Sequence, residues 1–350
     1  MSEPLIWAFI PYFNDKGRLD GDTFESETTK TELAKAFQAL GLAWIWQPVV
    51  LGNIDEVVAQ VVRYRQDHPA IVFNFCDGLD ADGSPGPAVV RALEAAGVPF
   101  TGANSEFYEI SCSKLRMKEL FVAAGVPTPP YEILTDAGPL TGVCDRIGKP
   151  GLVKPEFGAA SVGIKLSSRV YTDAATEKRR DALKNGELRR HGTRGRVYIE
   201  RFVDGREFTA FVVGNWHRPN EILCLPPTER VFNDLLPYDE RFISWEQYWT
   251  DDPKGSDAIH FHYASVESAL APKISALASR AYCAVHGVSY GRVDIRMERA
   301  TGEMQVLEVN ANPEVTDEPE TATGHILQIA GMKFPALLNT ILEEVMVRAL

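Results

Sequence analysis

The chain has 350 residues, 45% of them hydrophobic and 24% charged, as expected of a soluble protein with two or three domains. Its net charge of -12 argues against nucleic acid or an anionic membrane surface as the main partner, and leaves room for a local basic pocket that takes a small anion. The five cysteines form no C-x-x-C pair, and the start MSEPLIWAFIPYF is neither a signal peptide nor a membrane span; a cytoplasmic protein with free thiols is expected.

The first hundred residues alternate strand and helix signals. Residues 5–12 read as a strand, 27–40 as a helix closed by Gly41, and LAWIWQPVV as a second strand. Residues 54–66 place Val57, Val58, Val61 and Val62 at helical spacing; AIVFNF is a short buried strand, and 87–96 a helix stopped by Gly97. Alternation of this kind implies a parallel sheet covered by helices, with sites at the carboxyl ends of its strands. The loop NFCDGLDADGSPG leaves one such end. A helix is expected over 111–124, ended by the Gly- and Pro-rich GVPTPPYEIL, a hinge into a new unit. GLVKPEFGAASVGIKLSS reads as strand, small-residue loop and strand, and 173–190 as a polar helix. RVYIERFVDGREFTAFVV is expected to be two strands about a tight turn at Asp204-Gly205. Residues 218–263 look irregular, 266–286 form a long helix, and two more helices follow a hairpin, over 321–330 and 335–348.

That hairpin, YGRVDIRMERATGEMQVLEVN, carries the first chemical signal. A three-residue turn ending at Gly302 sets Arg299 opposite Glu303, Ile295 opposite Leu307 and Val293 opposite Val309. The other face then carries Arg292 opposite Asn310 and Asp294 opposite Glu308. Two carboxylates directly opposed on a sheet repel; they face solvent, share a proton or hold a cation. Asp, Glu and Asn together are oxygen ligands of the kind Mg²⁺ takes beside substrate phosphates. Positive charge for such phosphates is available at Lys154, which ends an apolar strand before EFGAASVG, and at Lys114. The loop fits neither the Walker nor the dinucleotide-binding glycine pattern. Glu200 follows an apolar run, where a carboxylate needs a partner such as an amine edge or a ribose hydroxyl.

These pieces, in this order, resemble the ATP-grasp superfamily, and within it the D-alanine–D-alanine ligases. The resemblance spans about residues 73–316 and is closest in GVPFTGAN, SKLRMKELFVAAGVPTPPY, GLVKP…SVG, ERFVDGREFT and GRVDI…LEVNANP. It implies a mixed α/β fold: an N-terminal parallel α/β domain (1–105), a small central lid (106–195) and a C-terminal antiparallel catalytic unit (196–350), with ATP bound between the last two. By position, Lys114 and Lys154 would contact ATP phosphates under a lid loop from Gly158 to Gly163 that includes Ser161. Glu200, Arg201 and the backbone near Val203 would hold adenine, and Glu207 the ribose. Asp294, Glu308 and Asn310 would bind two Mg²⁺ (or Mn²⁺), and Arg292 would neutralise the developing oxyanion. The implied reaction joins a small-molecule carboxylate to an amine through an acyl phosphate, in a homodimer.

The substrate side departs from the ligases that join two D-alanines. No Ser/Glu-bearing Gly-rich loop follows the first strand, and Asp77-Gly78 stands where they have His-Gly. Ala160 replaces a lid Ser, and Tyr248-Trp249 a Lys-Tyr pair. Pro313 is followed by Glu314 instead of Gly, and Glu320 falls near a Ser that helps hold the acceptor carboxylate. The expectation is therefore an ATP-dependent ligase whose substrates are not two D-alanines, with Asp77, Glu314, Asp317 and Glu320 recognising an amine-bearing group. Loop acids or helix caps are the plainer role for residues 317–320. A genuine D-alanine–D-alanine ligase is the first alternative, and a non-catalytic nucleotide-binding protein the second.

Overall fold

A computed structural model describes residues 3–15, 18–21, 27–78, 83–158, 161–187, 195–244 and 261–348. β1 (Leu5–Asp15) forms a hairpin with β2 (Arg18–Gly21) and is flanked by the parallel strands β3 (Trp44–Val49) and β4 (Ala70–Asn74). Alternation along β1 decides what covers each face. Ile6, Ala8 and Ile10 pack with Leu33, Ala36 and Phe37 of α1 (Glu27–Ala39). Trp7 and Phe9 point the other way, to α2 (Ile54–Tyr64) and α3 (Pro87–Ala95). Ile54, Val57, Val58 and Val61 are the buried stripe of α2, as their helical spacing requires.

The helix expected over 111–124 begins at Lys114, and a second helix precedes it. α4 (Ser105–Cys112) is capped by Asn104, whose side chain accepts from the Phe107 amide. Ser113 is extended, with φ -107 and ψ 105, and caps α5 (Lys114–Ala123) by accepting from the Arg116 amide. The chain then enters a separate antiparallel sheet built from β5 (Tyr131–Ile133), β6 (Gly151–Pro155), β7 (Arg169–Val170) and β8 (Val197–Arg201), in the order β5-β8-β6-β7. Its own core of Val143, Ile147, Val153 and Ile199 draws on α6 (Val143–Ile147), and α7 (Asp173–Ala182) packs beside it. The helix expected to reach residue 190 therefore leaves α-geometry after Ala182.

β9 (Gly205–Asn215) opens the third sheet; the two strands expected about Asp204-Gly205 are present, but they do not pair with each other. β8 bonds to β5 and β6, whereas β9 bonds to other strands altogether. Three strands arise in the stretch read as irregular: β10 (Leu223–Cys224), β11 (Thr228–Phe232) and β12 (Phe261–Ser265). After α8 (Ala271–Ala284) come β13 (Val288–Glu298) and β14 (Met304–Ala311), completing the order β12-β11-β9-β13-β14 with β10 on β9. α9 (Ala322–Ala330) and α10 (Phe334–Arg348) close the chain's described part.

The hairpin register holds from Gly291 to Asp294 and then slips by one residue at a bulge after Asp294. Ile295 therefore faces Val306, not Leu307, and Glu298, not Arg299, bonds across to Glu303. Gly302 does take the left-handed conformation, with φ 73. Two apolar clusters each combine residues of the first and third sheets: Phe9, Val72 and Val293 in one, Phe73, Tyr290 and Leu338 in the other. The first and third sheets thus share their cores, while the central sheet has its own, and β8 lies in that sheet past the expected boundary at 195/196. Among the described residues no helix is long and apolar enough to cross a membrane.

Candidate active site

A cavity of about 460 Å³ opens between the central sheet and the β13–β14 hairpin. One wall is the polar face of that hairpin. Val293, Ile295, Val306 and Val309 are fully buried on the opposite face, and this burial turns Arg292, Asp294, Glu308 and Asn310 toward the cavity. Asp294 is held from three sides: Thr209 Oγ1 donates to Oδ1 at 2.9 Å, Asn310 Nδ2 to Oδ2 at 3.0 Å, and Arg292 Nη2 to Oδ2 at 3.1 Å. Burial pushes its carboxyl up, but the neighbouring Arg292 and Arg230 guanidiniums outweigh that and hold it below the ordinary Asp value. Glu308, directly opposite, pairs with Lys114 Nζ at 3.2 Å. The repulsion expected between the two acids is thus met by a cation on each.

Among the described residues no group of three His, Cys, Asp or Glu side chains is arranged to hold a metal ion. The set present is two carboxylates and one amide on a single sheet face. Those donors fit a hard cation that completes its shell with phosphate oxygens and water.

A second wall comes from α5 and the central sheet. Lys114, the first residue of α5, also donates to the Gly158 carbonyl at 2.6 Å, so it bridges the hairpin and the loop after β6. Ser161 of that loop lines the cavity with φ 61; Ala159 and Ala160 lie outside the described residues. Lys154, near the end of β6, and Lys118, one turn after Lys114, both grip Glu200: Lys154 Nζ to Oε1 at 2.6 Å and Lys118 Nζ to Oε2 at 2.7 Å. Burial alone would raise this carboxyl, and the two ammoniums bring it down to about 2. Beside it Leu152, Ile164, Phe202 and Phe242 form an apolar slot, with the Phe202 and Phe242 rings 5.6 Å apart edge to face. Arg201 and Val203 line the cavity on either side of Phe202. Glu207 is engaged by Arg230 and lies 3.6 Å from Arg296 Nε.

The remaining wall carries Asp77, Tyr108, Glu314, Glu320 and the first residues of α9. Tyr108 Oη donates to Asp77 Oδ1 at 2.7 Å and accepts from the Gly78 amide at 2.9 Å. Glu314 is open to the cavity, yet burial of its carboxyl and the nearby Glu318 push it up, with Arg292 opposing. Thr321 caps α9 by accepting from the Gly324 amide at 3.0 Å, and Thr321, Ala322 and Thr323 bring the positive end of the helix dipole to the cavity.

Arg292, Lys114, Lys154, Ser161, Glu200, Arg201, Val203, Glu207, Asp294, Glu308, Asn310, Asp77, Glu314 and Glu320 all line this cavity, and Asp317 does not. Thr316 donates to Glu32 of α1 at 3.2 Å, and Asp317 shares a hydrogen bond with the same Glu32, whose carboxyl is pushed up to about 8 by burial and then by Asp317. Asp317, expected to meet substrate, is turned onto α1 and away from the cavity lining. Tyr248 and Trp249, and His260 of the HFH stretch, lie outside the described residues. Sequence reasoning missed Lys118, Thr209, Tyr108, Arg230 and the start of α9. Thr209 was reachable only through the β9–β13 register, which sets it opposite Asp294.

An apolar slot with paired lysines, facing a two-carboxylate hairpin across one cavity, is the arrangement of a carbon–nitrogen ligase of the ATP-grasp class. Residues 120–343 match the family model described as D-ala D-ala ligase C-terminus, and the chain belongs to that family. Among curated relatives, D-alanine–D-alanine ligase B of Xanthomonas campestris pv. campestris is 27% identical over 333 residues, covering 93% of this chain and 92% of that protein. The D-alanine–D-alanine ligase of Pseudomonas putida is 27% identical over 325 residues, covering 93% and 90%. The fold is shared with the crystal structure of the Bacillus anthracis D-alanine–D-alanine ligase complexed with ATP (TM-score 0.67, 19% identity, 99% of this chain and 98% of that one). It is shared likewise with the Coxiella burnetii enzyme (TM-score 0.65, 17% identity, 99% and 96%).

Proposed function

We propose that this protein is an ATP-dependent D-alanine–D-alanine ligase, activating one carboxylate as an acyl phosphate and joining it to the amine of a second molecule. The observation that carries this reading is the meeting, in one cavity, of Lys114 and Lys154, the apolar slot around Phe202, and the Asp294–Glu308 face. The names of the relatives support D-alanine as the substrate better than they support the different acceptor expected from the loop acids. The start of α9 adds to this: the positive end of a helix dipole at the cavity attracts an acceptor's carboxylate.

In this reading Lys114 and Lys154 bind the phosphates, Glu200 and the backbone from Arg201 to Val203 hold the base, and Glu207 the ribose. Asp294, Glu308 and Asn310 would hold Mg²⁺, which supplies charge neutralisation for phosphoryl transfer. A donor carboxylate oxygen attacks the γ-phosphorus and ADP leaves. The acceptor amine then attacks the acyl carbon, and the bond to the phosphate oxygen breaks. Arg292 faces the place where negative charge grows on the acyl oxygen, and as a fixed guanidinium it needs no reorganisation there. Cytoplasmic placement and a homodimer belong to the same proposal.

A second reading keeps the chemistry and changes the acceptor. Asp77, Glu314 and Glu320 line the substrate wall, and carboxylates there favour an amine-bearing group over a second amino acid. ADP release measured with D-alanine alone, and with D-alanine plus a panel of diamines, separates the two. Turnover on D-alanine alone supports the first reading; turnover that requires a diamine sinks it.

A further inference from the structure

Lys118 is fully buried, an uncommon position for a charged side chain, and it does not line the cavity. It sits one helical turn beyond Lys114 on α5, so one helix face reaches two acids of two different sheets: Glu308 through Lys114 and Glu200 through Lys118. The Lys118 ammonium also donates to Thr128 Oγ1 at 3.0 Å, and that hydroxyl donates to the Val306 carbonyl at 2.9 Å. The Tyr131 ring lies beneath it, 5.4 Å away. Lys118 is therefore fixed by the hinge segment and β14, and cannot turn toward a ligand.

The two lysines on Glu200 differ in this respect. Lys154 lines the cavity and can give up Glu200 for an anion bound there; Lys118 cannot. Once a phosphate engages Lys154, Lys118 alone keeps Glu200 ionised and aimed. Glu200 itself lines the cavity beside the apolar slot, so a carboxylate held there by Lys118 can still accept from a base bound in the slot.

We propose that Lys118 is the positioning residue for base selection: by holding Glu200 as an aimed carboxylate, it makes the slot prefer a purine with an amino group at that edge over one with a carbonyl there. The proposal rests on the nucleotide reading given above. An ionised acceptor facing an N–H gains a charge-assisted hydrogen bond, whereas facing a carbonyl oxygen it repels. ATP and ITP differ at that edge, with a 6-amino group beside an N1 acceptor in one and a 6-oxo group beside an N1–H in the other, and the pair serves as the probe.

The test uses the full chain with calorimetric titration of ATP and of ITP, without a donor acid, at several values from roughly pH 5.5 to 8.5. The wild type is expected to prefer ATP by about tenfold or more, unchanged across that range, as one charge-assisted hydrogen bond predicts. Lys118→Met should bring the two affinities to within about threefold, mainly by weakening ATP, and should make the remaining preference fall as pH drops, because Glu200 then protonates more readily. A purely structural role would leave the ratio and its pH dependence unmoved. If Lys118→Met does not fold, Lys118→Gln, which keeps hydrogen-bonding groups for Glu200 and Thr128 and removes only the charge, takes its place. Loss of preference in whichever variant folds supports the proposal, and wild-type preference retained in it overturns the proposal. A wild type that binds neither nucleotide overturns the nucleotide reading and this inference together; a wild type that binds ATP beside a variant with unchanged preference overturns the inference alone.

Discussion

Asp294 stays ionised inside the protein because Arg292 and Arg230 outweigh the cost of burial. Removing Arg292 withdraws charge from the reacting centre and leaves Lys114, Lys154 and the apolar slot in place. Arg292→Ala should therefore bind ATP within about threefold of the wild type, while kcat falls by on the order of 10²- to 10³-fold. Calorimetry for binding and ADP release for turnover check the two halves; an equal loss in both would contradict the role given to Arg292. Arg292, Asp294, Glu308 and Asn310 were legible in the sequence because strand alternation and a glycine turn fix which side chains share a face. Lys118 was not legible. A lysine on a helix reads as solvated, and only the fold brings a buried Glu200 to 2.7 Å from it.

α1 and the loop after β14 meet through a pair of acids, and that contact sets a pH response for these two elements. Glu32 has its carboxyl raised to about 8, so the folded state holds a proton that the unfolded chain, with an ordinary Glu value of roughly 4.3, releases. The folded state therefore binds more protons than the unfolded one between those values, and stability falls as pH rises through that window. Facing Glu32 here are Asp317, Thr316 and Glu318, of which the two acids oppose its ionisation. Glu32→Gln keeps a hydrogen-bonding group and removes the charge. Its melting temperature should gain on the wild type more at about pH 8.5 than at about pH 5.5; an equal difference at both would show that the contact carries no such penalty. At this scale the sequence was misleading wherever pairing is non-local. RVYIERFVDGREF reads as two adjoining strands, but each finds other partners, and β10, β11 and β12 carry too little alternation to be seen. The hairpin register failed at one point, the bulge after Asp294, which no residue type announces.

The whole molecule divides less evenly than three consecutive segments suggest. The first and third sheets share two apolar clusters, and the central sheet, with its separate core, reaches the cavity through Lys154, Glu200 and the loop that carries Ser161. This arrangement puts Lys154, Glu200 and Ser161 on the central unit, and Arg292, Asp294 and Glu308 on the unit that faces it across the cavity. The ordered motifs made the fold legible as ATP-grasp, and the acids after Pro313 drew the substrate expectation away from D-alanine. The fold shows what those acids do: Asp317 bonds to α1, Glu314 and Glu320 flank the cavity, and Thr321 caps a helix whose positive end faces it. The central claim is that a carboxylate is activated by phosphoryl transfer from ATP and then captured by an amine. It is tested most directly by turnover of D-alanine labelled with ¹⁸O in its carboxylate, with mass spectrometry of the phosphate and the peptide. One labelled oxygen in each phosphate released with D-alanyl-D-alanine is the predicted result; peptide formed with unlabelled phosphate, or ADP formed without peptide, would contradict it.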